Sequence, residues 1–339
     1  WDTKFSYSYN NNSSKQDYNN TYLTPIQLIM MGDGENKQQR HFLQLQTDVN
    51  FQIFKTVKVE TGVKSSYQYY QSNADYYATA NGIRTLDSSR TNAFNYKENI
   101  NAIYLQASKT LGWNILLKTG VRLEQTYMNG NQTIPTDTSF LINRVDLFPY
   151  VYLSRPLFSI MGVELKTYLI YRKTISRPDY QSLNPYRKYI DEFQIETGNP
   201  NLRPQFTDNI EMNVSVDDFP LFAIGQNYTK DIFSSVTYKD KVHDYISVRT
   251  YDNLGKRKET YIRGMVGIPP GGKYFFGIGT QYNLNEYEGV YENQPLTFSR
   301  GSWQFFTFHS LRLLKETKLT LSGFMMVNEV FNFGISAAA

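Results

Sequence analysis

The sequence contains no cysteine, only three tryptophans and no long apolar run. The absence of cysteine excludes a disulfide-stapled secreted domain and a thiolate metal site. A helical membrane protein is also excluded, because no stretch of about 18 apolar residues occurs. The net charge is also small, because the 35 basic residues are nearly balanced by 31 acidic residues and the formal net charge is +4. Such a mild excess does not indicate nucleic-acid binding.

Tyrosine and phenylalanine are abundant instead, with 28 and 22 copies in 339 residues, although the mean hydropathy is only −0.50. This composition favours β structure. Apolar and polar residues alternate with a period of two along most of the chain, as expected for strands with one apolar face. The clearest example is the segment 113–125, in which one face carries Trp113, Ile115, Leu117, Thr119, Val121 and Leu123. The sequence therefore predicts an all-β protein.

The alternation predicts thirteen strands, and many of them reach the roughly nine to eleven residues that a tilted strand needs to cross a bilayer. They are predicted at 2–9, 41–51, 57–70, 94–109, 113–127, 143–155, 159–175, 206–216, 221–238, 258–267, 273–286, 298–314 and 317–327. Short and long connections alternate between them, and the long ones fall at about 10–40, 71–93, 128–142, 176–205, 239–257 and 287–297.

This order of connections puts all tight turns at one end of an antiparallel sheet and all long loops at the other. That layout is typical of an up-and-down transmembrane β-barrel in a bacterial outer membrane. A soluble β-repeat protein, such as a propeller, is the alternative, but no blade-length repeat stands out in the sequence. A barrel also accounts for the negative mean hydropathy, because only alternate residues need to be apolar.

No constellation of residues typical of catalysis is found. The three histidines, His41, His243 and His309, are far apart in sequence, and no nucleophile-elbow, HExxH or phosphate-loop motif is present. The segment 32–36 is rich in glycine and acidic residues but lacks the spaced carboxylates of a calcium loop. We therefore expect no enzyme, no cofactor and no metal site.

Aromatic residues cluster where the predicted strands leave the apolar band, and we interpret them as a girdle at headgroup level. A sugar- or base-stacking surface is the alternative. The set comprises Tyr67, Tyr69, Tyr70, Phe94, Tyr96, Trp113, Tyr127, Phe148, Tyr150, Tyr152, Tyr274, Phe275, Phe276, Phe305 and Phe306. For loop aromatics, ligand contact and loop packing are equally open; these are Tyr18, Tyr22, Tyr76, Tyr77, Tyr186, Tyr189 and Tyr291.

Charged residues on the polar faces of the predicted strands are expected to point into the barrel and to pair with one another. They are Lys118, Arg122, Glu124, Glu164, Lys166 and Arg172. The segment 172–206, by contrast, is a long connection with prolines at 178, 185, 200 and 204. Each proline moves the residue before it out of the helical region, so this connection is predicted to be stiff and extended rather than disordered.

The same connection carries two motifs, Ser-Arg-Pro-x-Tyr-x-x-Leu-Asn-Pro at 176–185 and Gly-Asn-Pro-Asn-Leu-x-Pro at 198–204. This pair resembles the signature of TonB-dependent outer-membrane receptors, and it is closest to the outer-membrane β-barrel family of Bacteroidota. Stretches at 95–102, 120–126, 146–149 and 252–255 agree with that family in the same order. The motif residues are candidates for a binding loop of unknown ligand: Arg177, Pro178, Asn184, Pro185, Gly198, Asn199, Pro200, Asn201, Leu202 and Pro204.

The resemblance implies a barrel of about 22 strands filled by an N-terminal plug. Residues 1–339 would then be the middle-to-late part of the barrel, with the plug and the remaining strands outside this chain. The long loops would be extracellular and the short turns periplasmic. The implied function is TonB-dependent import of a nutrient through the plugged barrel. The alternative is a barrel subunit that transports nothing and serves as a scaffold in a secretion, assembly or surface-lipoprotein complex.

The partners expected from this resemblance are outer-membrane lipid and lipopolysaccharide, TonB, and a surface lipoprotein or other complex subunits. Arg187 and Lys188 are candidates for contacts with lipopolysaccharide phosphates, because they follow the first motif near the extracellular end. No nucleic-acid partner is expected.

Overall fold

The computed structural model describes residues 1–22, 28–80, 82–88, 90–160, 163–190, 193–216, 219–243, 245–268, 272–314, 317–328 and 331–338. Strands account for most of them: β1 (Asp2–Tyr22), β2 (Leu28–Ile53), β3 (Val57–Ala80), β4 (Ile83–Leu86), β5 (Asn92–Thr110), β6 (Leu116–Ile134), β7 (Thr138–Ile160), β8 (Val163–Ser176), β9 (Lys188–Tyr189), β10 (Gln194–Glu196), β11 (Gln205–Val216), β12 (Phe219–Lys239), β13 (Ser247–Ile268), β14 (Tyr274–Tyr291), β15 (Gln294–Arg312), β16 (Lys318–Val327) and β17 (Phe331–Ala338).

Fourteen of these strands form one antiparallel meander, in which each long strand pairs with the next one along the chain. The three short strands lie outside the meander. Strand β4 pairs antiparallel with the last residues of β3, β9 pairs with β10, and β10 runs parallel to β13. One short helix, α1 (Tyr180–Leu183), precedes β9. The predicted up-and-down antiparallel β fold is confirmed.

The two faces of the sheet differ in the way that a membrane requires. On β6, Leu123 is 45% exposed while the neighbouring Glu124 is only 5% exposed. Odd-numbered residues of this strand form the outer face, which presents apolar side chains such as Val121 and Leu123, and even-numbered residues form the inner face, which is buried from Glu124 to Gln132. Soluble proteins bury their apolar face, so this inverted arrangement indicates that lipid covers the outer face. In the described residues no helix has the length and apolarity needed to cross a membrane.

The strands are longer than the sequence predicted. The prediction of a loop at 10–40 is wrong, because the ladder that pairs Asn10 with Arg40 continues until Tyr22 pairs with Leu28. Most of the segments 71–93, 128–142, 239–257 and 287–297 are likewise paired strand. An apolar face marks only the part of a strand that meets lipid, so the ladder continues beyond the membrane without that signal. We call the end of the sheet at which these extended hairpins lie the hairpin end, and the opposite end the short-turn end.

The thirteen predicted strands correspond one to one to the first thirteen strands of the meander. The fourteenth, β17, was not predicted, and it pairs with β16 over eight residues. Of the predicted long connections, only 176–205 consists mainly of structure outside the meander. It joins β8 to β11, two strands that pair directly with each other.

Candidate functional site

The connection between β8 and β11 folds back against the inner face of the sheet. We call residues 177–204 the family-motif loop. Leu183 is fully buried and Leu202 is 2% exposed. Both belong to one hydrophobic cluster, whose other buried members are the inner-face residues Tyr70, Phe94, Tyr96 and Met128. The loop therefore covers part of the barrel's inner wall near the hairpin end.

This packing corrects part of the predicted aromatic girdle. Tyr70, Phe94, Tyr96 and Phe148 are buried and lie on the inner face, so their assignment to a lipid headgroup belt is wrong. Their physical role is to provide an apolar patch on an otherwise polar wall, where Tyr70 packs against Tyr180 of the loop with ring centroids 4.0 Å apart and ring planes tilted by 31°. Other members of the set remain exposed, as a girdle requires: Tyr67, Trp113, Tyr127, Tyr274 and Phe305.

The two sequence motifs form a single folded unit. The Gly198 N–H donates to the Asn184 carbonyl at 2.8 Å, and the Asn199 N–H donates to the Ser182 carbonyl at 2.7 Å. Asp179 caps helix α1 by accepting a hydrogen bond from the Ser182 N–H at 2.7 Å. Satisfied backbone groups of this kind let an irregular segment be buried without a large desolvation cost.

The second motif also binds the opposite wall. The Asn199 side-chain amide donates to the Tyr251 carbonyl at 3.0 Å, and its carbonyl oxygen accepts from the Asn201 N–H at 2.9 Å. Pro178 and Pro204, at the two ends of the loop, are buried, whereas Pro185 and Pro200 are half-buried. The predicted binding-loop residues thus come together, and the contacts described for them shape the loop. Their ligand stays a prediction.

Gly198 is a position where a side chain cannot be accommodated. A Cβ atom there would lie 2.5 Å from the Asn184 carbonyl oxygen and 2.6 Å from that of Ser182. Both are backbone atoms, so we expect Gly198→Ala to break the junction between the two motifs at a cost of about 2–3 kcal/mol. Limited proteolysis of the folded barrel should then cut the loop faster. Gly277→Ala is the control, because nothing lies within 4 Å of its Cβ position; equal cleavage of both variants would contradict the prediction.

Ion pairs anchor the loop to the wall on both sides. Arg177 binds Glu124 and donates to the Thr126 hydroxyl at 2.9 Å on β6. Arg203 pairs with Asp231 of β12 at 2.8 Å. Further anchors lie at the hairpin end, where Glu196 binds Arg249, and Arg187 binds Asp240 just after β12.

The anchor at Asp240 is insensitive to ordinary changes of pH. The Arg187 guanidinium, followed by the backbone N–H groups of Val242 and His243, lowers the pKa of the Asp240 carboxyl to about 2. A carboxyl group whose pKa is lowered by folding stabilises the folded protein at pH values above the ordinary carboxyl pKa near 4. That stabilisation is lost only as the pH falls towards 2. The contact therefore holds throughout the physiological range.

The basic residues after the first motif have partners within the protein. Arg187 binds Asp240, and Lys188 lines a cavity on the inner side of the loop. Their contact with lipopolysaccharide phosphates stays a prediction. The charges predicted to point inward do lie on the inner face of β6 and β8, and two pairs form among them: Arg122 with Glu124 at 3.4 Å and Lys166 with Glu164 at 3.1 Å.

The three histidines are held apart by the fold. His41 packs against Tyr9 with ring centroids 4.7 Å apart, and His309 lies 2.6 Å from the Tyr274 hydroxyl on a different pair of strands. His243 lies in the connection after β12, near Asp240. In the part of the chain that the structure describes, no three His, Cys, Asp or Glu side chains are placed to hold a metal ion.

A cavity of about 290 Å³ lies between the loop and the inner wall at the hairpin end. We call it the mouth cavity. Strands β2, β3 and β5 provide one side, and the loop together with β13 provides the other. Its lining residues include Asn36, Gln38, Tyr70, Ser72, Asn92, Gln181, Asn184, Tyr186, Lys188, Glu196, Arg249 and Tyr251. No sequence motif indicates the wall residues, although their inner-face position follows from the alternation once the strands are extended.

An apolar outer face, a polar inner face and long hairpins at one end define an outer-membrane β-barrel. The chain belongs to the Outer membrane protein beta-barrel family, whose model matches residues 1–337. This confirms the predicted location in the bacterial outer membrane, and it supports the prediction that the chain is not an enzyme. The narrower assignment to Bacteroidota stays a prediction.

Solved structures share the fold. The copper transporter OprC matches with a TM-score of 0.58 at 10% identity, covering 95% of this chain and 56% of that one. The siderophore receptor PiuA from Acinetobacter baumannii matches with a TM-score of 0.52 at 11% identity, covering 95% of this chain and 52% of that one. Such low identity shows the fold alone, and the chain spans about half the length of these two proteins. No curated protein sequence matches the chain.

Proposed function

We propose that this chain forms the barrel wall of a TonB-dependent importer, which takes a nutrient through the outer membrane. The observation that carries the proposal is the family-motif loop, anchored at the hairpin end so that it borders a cavity against the inner wall, with amide, hydroxyl and tyrosine side chains in its lining. A cavity at the mouth of a barrel is a place where a solute can be captured before it passes inward. A barrel that serves only as a scaffold has no need of one.

In this proposal the hairpin end faces the outside and the short-turn end faces the periplasm. The plug and the remaining strands belong to the same receptor and lie outside residues 1–339. The inner wall offers the plug a polar surface, as at Glu211 of β11, which accepts two hydrogen bonds from Arg263 at 2.8 and 2.9 Å and one from Tyr261 at 2.6 Å. TonB would move the plug, while the anchored loop and the wall stay in place.

Import can be tested in cells by deleting the gene and measuring the uptake of a solute panel. Because fold relatives are described as a copper transporter and a siderophore receptor, the panel should contain copper, ferric siderophores and neutral oligosaccharides. We expect uptake of one class to disappear, to return with the full-length gene, and to disappear again when TonB is removed.

Unchanged uptake of every solute would overturn this proposal. The scaffold alternative predicts that outcome together with a stable complex of further outer-membrane subunits on purification in mild detergent. A receptor that imports its solute as a single chain would in turn exclude the scaffold function.

A further inference from the structure

The mouth cavity is lined mainly by neutral hydrogen-bonding side chains. Amides and hydroxyls approach it from both sides: Asn36, Gln38, Ser72 and Asn92 from the wall, and Gln181 and Asn184 from the loop. A side-chain amide presents donors and an acceptor together, which matches a ligand rich in hydroxyl groups. The side-chain amides of Gln38 and Gln181 make no hydrogen bond to any other residue that the structure describes. Both are therefore available to a ligand.

Tyrosine rings complete the lining. Tyr70, Tyr186 and Tyr251 border the cavity from β3, the loop and β13. The Tyr186 hydroxyl donates to the Arg90 carbonyl, which fixes the ring, and burial raises the pKa of this phenol so that it stays neutral. Amphipathic rings of this kind offer an apolar surface beside a polar edge. That combination suits a molecule with both C–H faces and hydroxyl groups.

The charges at the cavity are engaged with one another. Glu196 binds Arg249, and its second carboxylate oxygen lies 4.0 Å from the ammonium of Lys188. Two cations and one carboxylate leave a single excess positive charge. Recognition of phosphates or other multiply charged anions instead uses clusters of free arginines. The electrostatics therefore disfavour phosphates and other multiply charged anions as ligands.

We propose that the mouth cavity binds a short neutral oligosaccharide, through hydrogen bonds from the side-chain amides of Gln38 and Gln181 and stacking of sugar rings on Tyr186 and Tyr251. At about 290 Å³ the cavity is at the lower limit of ligand sites, which fits one end of such a molecule. The proposal names a substrate class for the importer proposed above and rests on it to that extent. Binding itself requires the cavity and does not require transport.

The test uses the purified full-length receptor on an array of neutral oligosaccharides, with a ferric hydroxamate complex and a sugar phosphate as competing classes. We expect at least one neutral oligosaccharide to bind. Gln38→Ala and Gln181→Ala should each weaken its binding by about three- to tenfold, as expected for one lost hydrogen bond. Gln39→Ala is the matched control, because this neighbour of Gln38 lies on the outer face of the same strand. Unheated gels should show that every variant is folded.

Two results would overturn the proposal: binding of only the ferric complex or the sugar phosphate, with no neutral oligosaccharide bound, or equal binding by the Gln38→Ala and Gln39→Ala variants. The uptake assay separates this failure from failure of the import proposal. Binding of a sugar without its uptake would support the proposed binding site and contradict the proposed import. Uptake of another solute without any sugar binding would support the proposed import and contradict the proposed oligosaccharide ligand.

Discussion

Replacing Arg177 with alanine is expected to release the family-motif loop from the barrel wall. Arg177 and Glu124 form an ion pair whose side chains are only 17% and 7% exposed. Breaking such a pair leaves the carboxylate without its main partner, which costs about 3–5 kcal/mol in buried settings. We expect the lower end of that range, because the Arg122 Nε remains 3.4 Å from the other oxygen of Glu124.

The measurement is the rate at which proteinase K cuts the loop in the folded receptor. If the loop opens and closes faster than it is cut, the cleavage rate follows the population of the open state. A decrease of about 3 kcal/mol in the free energy of loop opening then raises the cleavage rate roughly a hundredfold. Arg203→Ala is the control within the same loop. Its pair with Asp231 is 66% and 36% exposed, and exposed pairs contribute about 0–1 kcal/mol. Similar cleavage of the two variants would show that the buried pair does not hold the loop.

The fold was largely predictable because lipid imposes a simple rule on each strand. Wherever a strand crosses the membrane, one face must be apolar, and the alternation at 113–125 shows this directly. Beyond the membrane both faces meet water, and the rule no longer applies. The ladder between β1 and β2 continues through Asn10, Asn11 and Asn12 in that region, so composition indicated a loop where the backbone is paired.

The aromatic residues show a second limit of sequence analysis. The sequence predicts that Tyr70 belongs to the girdle together with Tyr67, because both are aromatic and close to the end of the apolar band. Their numbering places them on opposite faces, since Tyr70 shares the inner face with Gln68 and Ser72. Alternation could have separated the two tyrosines. Alternation could not have shown that Leu183 and Leu202 of a distant loop cover Tyr70, because that contact depends on tertiary structure.

The motif loop was predicted to be stiff, and its prolines and hydrogen bonds agree with that. Its inward direction could not be predicted, because it depends on the ion pair between Arg177 and Glu124, two residues 53 positions apart. The mouth cavity was missed for the same reason. Gln38 and Gln181 come together only when the loop returns to the wall, and neither belongs to a local motif that indicates binding.

Placing an arginine at position 105 is expected to destabilise the barrel strongly. Leu105 is 52% exposed on the outer face of β5, paired with Val121, and five residues from the end of the strand at Thr110. That depth is about half of the roughly nine to eleven residues of a crossing strand, so the side chain lies near the bilayer midplane. A lipid-facing arginine there costs about 2–4 kcal/mol. Urea titration of the receptor in lipid vesicles should show this loss in the free energy of unfolding.

The control is the next residue. Gln106 lies on the inner face, where its amide donates to Glu60 at 3.0 Å. In the Gln106→Arg variant the new charge meets water and a carboxylate, so we expect a change within about 0.5 kcal/mol. A one-residue shift then separates a large effect from almost none, because neighbouring residues of a strand point to opposite faces. Equal stability of the two variants would mean that lipid does not cover the outer face, and the chain would not be a transmembrane barrel.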